Sequence, residues 1–186
     1  MFIWHKYAWI KYLDKKEIIE LSEKINNSQK LPFRFYEIYD KLYPNQRHVK
    51  FTKTYFYGGF AYLIYSPLPE KFISPTEYLG KRTYMINSKK VRVGNKSTLP
   101  IYFSFALDRY TTPEKCFDYY VNNFDFLYNS IGLEKASLTY FNKNTNNLTD
   151  LEIIGLIVLL ENSALYNPRR RPDRFNHRRS ELLHKL

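Results

Sequence analysis

The apolar run from Ile153 to Leu160 constrains the fold of this chain most, because it contains no polar side chain and must lie away from water. It is much shorter than the roughly 20 apolar residues that a membrane-spanning helix needs. Thr149 and Glu152 precede it with the spacing of a capping box. The run is therefore predicted to form a buried helix, although its Ile and Val residues leave a strand open.

Two further helices are indicated by capping residues followed by apolar residues at helical spacing. One begins after Asp14 and ends at residues 26–28. The other begins at Thr112 and Pro113, where a capping hydroxyl precedes a proline in the first turn, and its aromatic spacing continues to Tyr128. Residues 33–43 fit either a short helix or a strand.

Several runs rich in aromatic and β-branched residues predict strands. Residues 49–65 surround a Gly-Gly pair and are typical of a hairpin with a two-residue turn. Residues 81–96 predict a second hairpin, residues 99–107 predict a well-buried strand, and residues 136–141 predict a further strand. The fold class expected from this pattern is α+β, an antiparallel sheet of about four to six strands with two main helices packed on it.

The expected domain organisation is a single globular domain over residues 1–167, followed by an Arg-rich arm or short helix over residues 168–186. Cys116 is the sole cysteine, so disulfides within the chain and multi-cysteine metal sites are excluded. A core position for Cys116 is favoured over a nucleophilic one. We see no signal peptide, and we expect a soluble intracellular protein that is not secreted. In one interpretation its origin is organellar or viral.

Net charge is concentrated in two places. The chain carries +11, of which +6 lies in residues 81–96 (the first basic segment) and +5 in residues 168–186 (the second basic segment), while the remainder is neutral. Such local concentration indicates a polyanion partner, because arginine and lysine contact phosphates. The candidate phosphate-binding residues are Lys81, Arg82, Lys89, Lys90, Arg92, Lys96, Arg169, Arg170, Arg171, Arg174, Arg178 and Arg179.

Catalytic and metal-binding patterns are weak in this sequence. The spacing of His177 and His184 matches no metal-ligand pattern, and His5 and His48 stand apart. Carboxylates such as Asp118 and Asp125 lack the spacing of a known hydrolytic site, and capping accounts for Asp150 and Glu152. No phosphate-binding loop or dinucleotide motif occurs, so neither a cofactor nor a metal is predicted.

These observations predict a non-catalytic nucleic-acid-binding protein, a structural component of a ribonucleoprotein or genome-associated assembly that contacts RNA or DNA through its phosphate backbone. One alternative is an interaction subunit of a large protein complex or virion, whose arginines bind an acidic protein surface. The other alternative is an enzyme that processes nucleic acid.

Overall fold

The computed structural model describes residues 13–51 and 99–186, together with positions 10, 75, 76 and 79. Seven α-helices lie wholly within these residues, together with two short 3-10 turns, Gln46–His48 and Thr145–Asn147. The helices are α1 (Lys15–Asn26), α2 (Phe33–Leu42), α3 (Leu99–Tyr110), α4 (Pro113–Asn122), α5 (Leu133–Phe141), α6 (Asp150–Asn162) and α7 (Pro172–Leu183). The described residues contain no β-strand, and an isolated bridge joins Asp125 to Ile131.

The predicted α+β class is wrong, because two of its expected strands are helices. Residues 99–107 lie in α3, and residues 136–141 lie in α5. In α3 the residues from Phe103 to Leu107 are all buried, so the run shows neither the alternation of a strand nor a single apolar stripe. Its aromatic residues favoured a strand by propensity, and tertiary packing overrides that preference.

The helices predicted from capping residues are confirmed. Asp14 caps α1 by accepting a hydrogen bond from the backbone N–H of Lys16 at 2.8 Å. At the start of α6, Thr149 and Glu152 form a reciprocal capping box. The helix predicted from Pro113 is α4, but it ends at Asn122 rather than continuing to Tyr128. Residues 33–43, which left two interpretations open, form α2.

Both predicted hairpins fall largely on parts of the chain that the structure does not describe. All of residues 81–96 and most of residues 49–65 lie outside the described residues. Phe51, near the start of the range 49–65, is helical and buried.

The chain divides into two compact units. The first comprises Met1–Ser28 and Asn45–Tyr120, and the second comprises Gln29–Pro44 and Val121–Leu186. In the first unit, α1 packs against α3, and the ring of Phe51 meets the ring of Phe105 edge-to-face at 5.2 Å between centroids. Such aromatic contacts add to the apolar burial that holds the unit together.

Helix α6 is the centre of the second unit, where α2, α5 and α7 pack against it. Every residue from Ile153 to Leu160 is buried, as expected for a helix that is apolar on all sides. Gly155 lies at the contact with two rings, since a Cβ there would approach Phe141 and Phe175 at 3.1 Å. The absence of a side chain at Gly155 therefore lets α5 and α7 approach α6 closely.

The second basic segment does not extend away from the second unit. It contains α7, which packs on α6 with Phe175 and Leu182 buried. The domain boundary at residue 167 stays a prediction. None of the helices in the described part of the chain is long and apolar enough to cross a membrane.

Candidate functional site

A polar pocket of about 380 Å³ opens in the second unit, within the size range of small-ligand sites. Three separate stretches of the chain build it: the approach to α2, the end of α4, and the α5 region with the 3-10 turn that follows it. Its lining residues are Gln29, Lys30, Leu31, Pro32, Asn122, Leu133, Glu134, Thr145 and Asn146.

Gly132 holds the end of α4 and the start of α5 together at this pocket. Its backbone has φ +87° and ψ 161°, and a Cβ would lie 2.6 Å from the carbonyl oxygen of Asn122. A side chain cannot be accommodated at that distance, and this backbone region is occupied almost only by glycine. Glycine at position 132 thus places Leu133 and Glu134 beside Asn122.

Hydrogen bonds fix two parts of the pocket wall. The side-chain amide of Asn122 donates to the carbonyl oxygen of Gln29 at 2.6 Å, which ties the end of α4 to the segment before α2. The hydroxyl of Thr145 donates to the carboxylate of Glu134 at 2.6 Å, which ties the 3-10 turn to α5. The pocket is therefore held by contacts that its own residues make.

A histidine–carboxylate pair lies in the first unit, where Nδ1 of His48 is 2.8 Å from Oε1 of Glu114. Partial burial is the largest single influence and would raise the pKa of Glu114, but the hydrogen bonds with His48, with a backbone N–H and with Thr112 together outweigh it and the pKa is lowered. Glu114 is therefore ionised at neutral pH. An ionised carboxylate beside an imidazole is an arrangement that can accept or pass on a proton.

The six candidate phosphate-binding residues of the first basic segment, Lys81, Arg82, Lys89, Lys90, Arg92 and Lys96, lie outside the described residues. In the second basic segment, three of the six arginines contact their own unit. Arg178 binds both carboxylate oxygens of Glu161 at 2.8 Å and one oxygen of Glu181 at 2.9 Å. These contacts raise the pKa of Arg178, chiefly through the hydrogen bonds to Glu161.

Arg169 and Arg179 also make internal contacts. The guanidinium of Arg169 lies 4.5 Å from the ring centre of Tyr128, 5.7 Å from that of Tyr140, and donates to the carbonyl oxygen of Thr139 at 3.0 Å. Arg179 lies over the ring of a buried phenylalanine on its own helix. Such cation–π contacts stabilise the protein itself.

The remaining arginines of the second basic segment, Arg170, Arg171 and Arg174, are exposed, and their side chains contact no partner within the part of the chain described. Within the described part of the chain, the six arginines of the second basic segment therefore divide into three that contact their own unit and three that are exposed. The positive charge of Arg178 is partly neutralised by Glu161 and Glu181.

The remaining chemical candidates behave as structural groups. Cys116 is fully buried, as predicted, and burial raises the pKa of its thiol to about 11. Asp150 forms a two-point ion pair with Arg34 in addition to starting α6. His177 lies 3.4 Å from Glu181. Among the described residues no group of three or more His, Cys, Asp or Glu side chains could hold a metal ion.

Comparison with known proteins gives the chain its family. The sequence model of the transglycosylase family matches residues 79–186, more than half of the chain. The chain belongs to the transglycosylase family. The match includes all of the described residues from α3 to α7, and with them most of the second unit.

Two curated relatives agree with this family. Penicillin-binding protein 1F of Bacillus subtilis (strain 168) is 27% identical over 108 residues, which cover 58% of this chain and 15% of that protein. Penicillin-binding protein 1A of Neisseria flavescens is 27% identical over 112 residues, which cover 60% of this chain and 14% of that protein. The chain thus spans about one seventh of the length of the curated relatives it matches.

Membership of the transglycosylase family overturns the function predicted from charge. A non-catalytic nucleic-acid-binding role, the ribonucleoprotein or virion assemblies and the RNA or DNA partner are all wrong, and so is the expectation that the chain is more probably not an enzyme. The physical reason is that the arginines of a cluster can bind phosphates, carboxylates or aromatic rings, so the cluster alone does not identify its partner. In this fold Arg169, Arg178 and Arg179 use the second and third of these options.

The pocket residues were missed because no local pattern marks them. Asn122 and Glu134 lie in different helices, and Gln29 is separated from both by about half of the chain. The one available signal was Gly132, since an isolated glycine after a predicted helix indicates a backbone conformation that other residues avoid. In the structure Gly132 marks a close contact between two chain segments.

Proposed function

We propose that this chain takes part in building cell-wall peptidoglycan by glycosyl transfer. The observation that carries the proposal is the match of the transglycosylase family model to residues 79–186. Both curated relatives are named as penicillin-binding proteins, which supports the cell wall as the setting. Because the chain covers a small share of those relatives, the proposal concerns the glycosyl-transfer step alone.

Glycosyl transfer sets requirements that a charged surface does not meet. An acceptor hydroxyl bonds to the anomeric carbon of the donor sugar and loses its proton, while the bond from that carbon to the leaving group breaks. The site must therefore hold two polar sugar units in register and accept one proton. An exposed row of arginines supplies neither a proton acceptor nor a register for two sugar units.

The proposed substrate also changes the expected location. Peptidoglycan is assembled on the outer side of the cytoplasmic membrane, so we place the action of this protein there. The intracellular location expected from the sequence is not retained.

Recognition of the wall polymer is the first test. Purified peptidoglycan is sedimented with the protein, and a polynucleotide of matched mass concentration is offered in parallel at low and physiological salt. We expect retention on peptidoglycan at both salt concentrations. Polynucleotide binding, if any, should fall steeply with salt because it depends on released counterions.

The matched control is the variant in which Arg170, Arg171 and Arg174 are all replaced by glutamine, since their side chains have no partner in the part of the chain described. This variant should retain peptidoglycan binding unchanged. Loss of peptidoglycan binding in this variant, or salt-resistant binding of the polynucleotide by the wild type, would overturn the proposal.

A further inference from the structure

Two opposite charges at the pocket of the second unit have no ionic partner there. Lys30 and Glu134 both line the pocket and do not pair with each other. Within the described residues Lys30 makes no ion pair, and Glu134 accepts a single hydrogen bond, from Thr145 at 2.6 Å. An ammonium group has three donors and a carboxylate about four acceptor positions, so both groups retain capacity for a ligand.

The rest of the lining suits amide groups and small apolar side chains. Gln29 and Asn146 add side-chain amides, which can both donate and accept hydrogen bonds. Leu31 and Leu133, both buried, form an apolar part of the wall together with Pro32. The lining contains no aromatic ring, which is the surface on which a sugar ring usually stacks.

The wall that carries Glu134 is built before any ligand arrives. The glycine-only backbone at residue 132 and the 2.6 Å contact between Asn122 and Gln29 set the position of this wall. A pocket that is held by its own contacts loses little conformational entropy when it binds a ligand. The backbone at Gln29 and the carboxylate of Glu134 are preorganised in this way.

We propose that this pocket binds a short zwitterionic peptide of two or three residues. The free ammonium group of the peptide pairs with Glu134, and its free carboxylate pairs with Lys30. The peptide amide meets the amides of Gln29 and Asn146, and a side chain lies on the apolar wall. A cavity of about 380 Å³ accepts a ligand of this size. The proposal does not depend on glycosyl transfer, since it concerns binding alone.

The test measures binding of three probes by calorimetry: glycyl-leucine, N-acetylglycyl-leucine, which lacks the ammonium group, and glycyl-leucinamide, which lacks the carboxylate. Wild-type protein should prefer glycyl-leucine over each blocked probe by about two- to fivefold, the range for exposed ion pairs. Glu134→Gln should abolish the preference over the acetylated probe only. Lys30→Gln should abolish the preference over the amide only.

Lys135→Gln is the matched control, because Lys135 is an exposed lysine on α5 outside the pocket lining. It should leave all three affinities unchanged. The proposal fails if the three probes bind equally, if none binds, or if Lys135→Gln acts like Lys30→Gln. It also fails if N-acetylglucosamine binds in a Glu134-dependent manner while glycyl-leucine does not, since that result assigns the pocket to a sugar.

Discussion

At the scale of single residues, Gly132 has the clearest structural requirement. Its positive φ, its ψ of 161° and the position of the Asn122 carbonyl each exclude a side chain. A non-glycine residue there must both adopt a backbone region that other residues avoid and displace a neighbouring backbone. The effect of a substitution should therefore exceed that of an ordinary surface change.

Gly132→Ala is expected to lower the free energy of unfolding by about 2 kcal/mol, from backbone strain and the clash with Asn122. Denaturant unfolding followed by circular dichroism measures it. The control is Asn142→Gly, because Asn142 ends α5 with φ 52°, which glycine adopts without strain. The control should be neutral or slightly stabilising. Equal losses in both variants would contradict the account.

Single residues were predictable from the sequence where the reason was local. The cap at Asp14, the capping box at Thr149 and Glu152, and the buried position of Cys116 all follow from chemistry within one segment. The partner of an arginine is not local. Arg178 binds Glu161, which lies in the preceding helix, and the spacing of charges in the sequence does not predict that pair.

At the scale of elements, α7 shows how the second basic segment is used. Arg178 is about one quarter exposed and binds Glu161 and Glu181. Glu161 also accepts a hydrogen bond from the hydroxyl of Tyr43, whose pKa is raised by burial and by this contact. The side chain of Arg178 thus joins α7 to α6, and Tyr43, which follows α2, contacts the same carboxylate.

Arg178→Gln should lower the free energy of unfolding by about 1 kcal/mol, because a half-buried two-point ion pair is lost and Glu161 keeps its charge. The urea midpoint measures the change. Arg174→Gln is the control and should stay within about 0.5 kcal/mol, since Arg174 is exposed. If Arg174→Gln cost as much as Arg178→Gln, the structural role of Arg178 would be excluded.

Element types were predictable where a cap or a proline marked the start of a helix. They were not predictable for α3 and α5, whose sequences are rich in aromatic or apolar residues, and the glycine that precedes α5 offers no capping side chain. Burial on most sides removes the periodicity that distinguishes a helix from a strand. The error in fold class comes from these two segments rather than from the capped helices.

At the scale of the whole molecule, several carboxylates have lowered pKa values. The hydrogen bond from Arg34 lowers the pKa of Asp150, and the hydrogen bond from Arg178 lowers that of Glu181. For Glu152, burial is the largest single influence and opposes the shift, but the hydrogen bonds from Lys143 and Thr149 together outweigh it and the pKa is again lowered. These groups bind a proton less readily in the folded state than in the unfolded state.

The sign of the pH dependence follows from this difference. The stabilisation is fully present above the ordinary values, 3.8 for Asp and 4.5 for Glu, and is lost as the pH falls through the lowered values of the folded state. Urea midpoints measured from about pH 6 down to about pH 3 should therefore fall. Arg34→Gln should make that fall shallower, because Asp150 loses its partner. An unchanged slope in Arg34→Gln would contradict the assignment.

The family of the molecule could not be predicted from its composition, because net charge describes solubility and attraction to any polyanion rather than chemistry. What identifies the chain is the order of residues across residues 79–186, most of which form the helices α3 to α7. That order is shared with much longer proteins at 27% identity. A similarity of this kind is found only by comparing the sequence with those of other proteins.

The most direct measurement of the central claim is turnover of a peptidoglycan precursor. The protein is incubated with a fluorescently labelled, activated disaccharide precursor, and the products are separated by length on a gel. A ladder of lengthening glycan chains that disappears on muramidase digestion is the result we expect. Absence of any lengthened product, from protein that retains a cooperative unfolding transition, would contradict the claim that this chain transfers glycosyl groups.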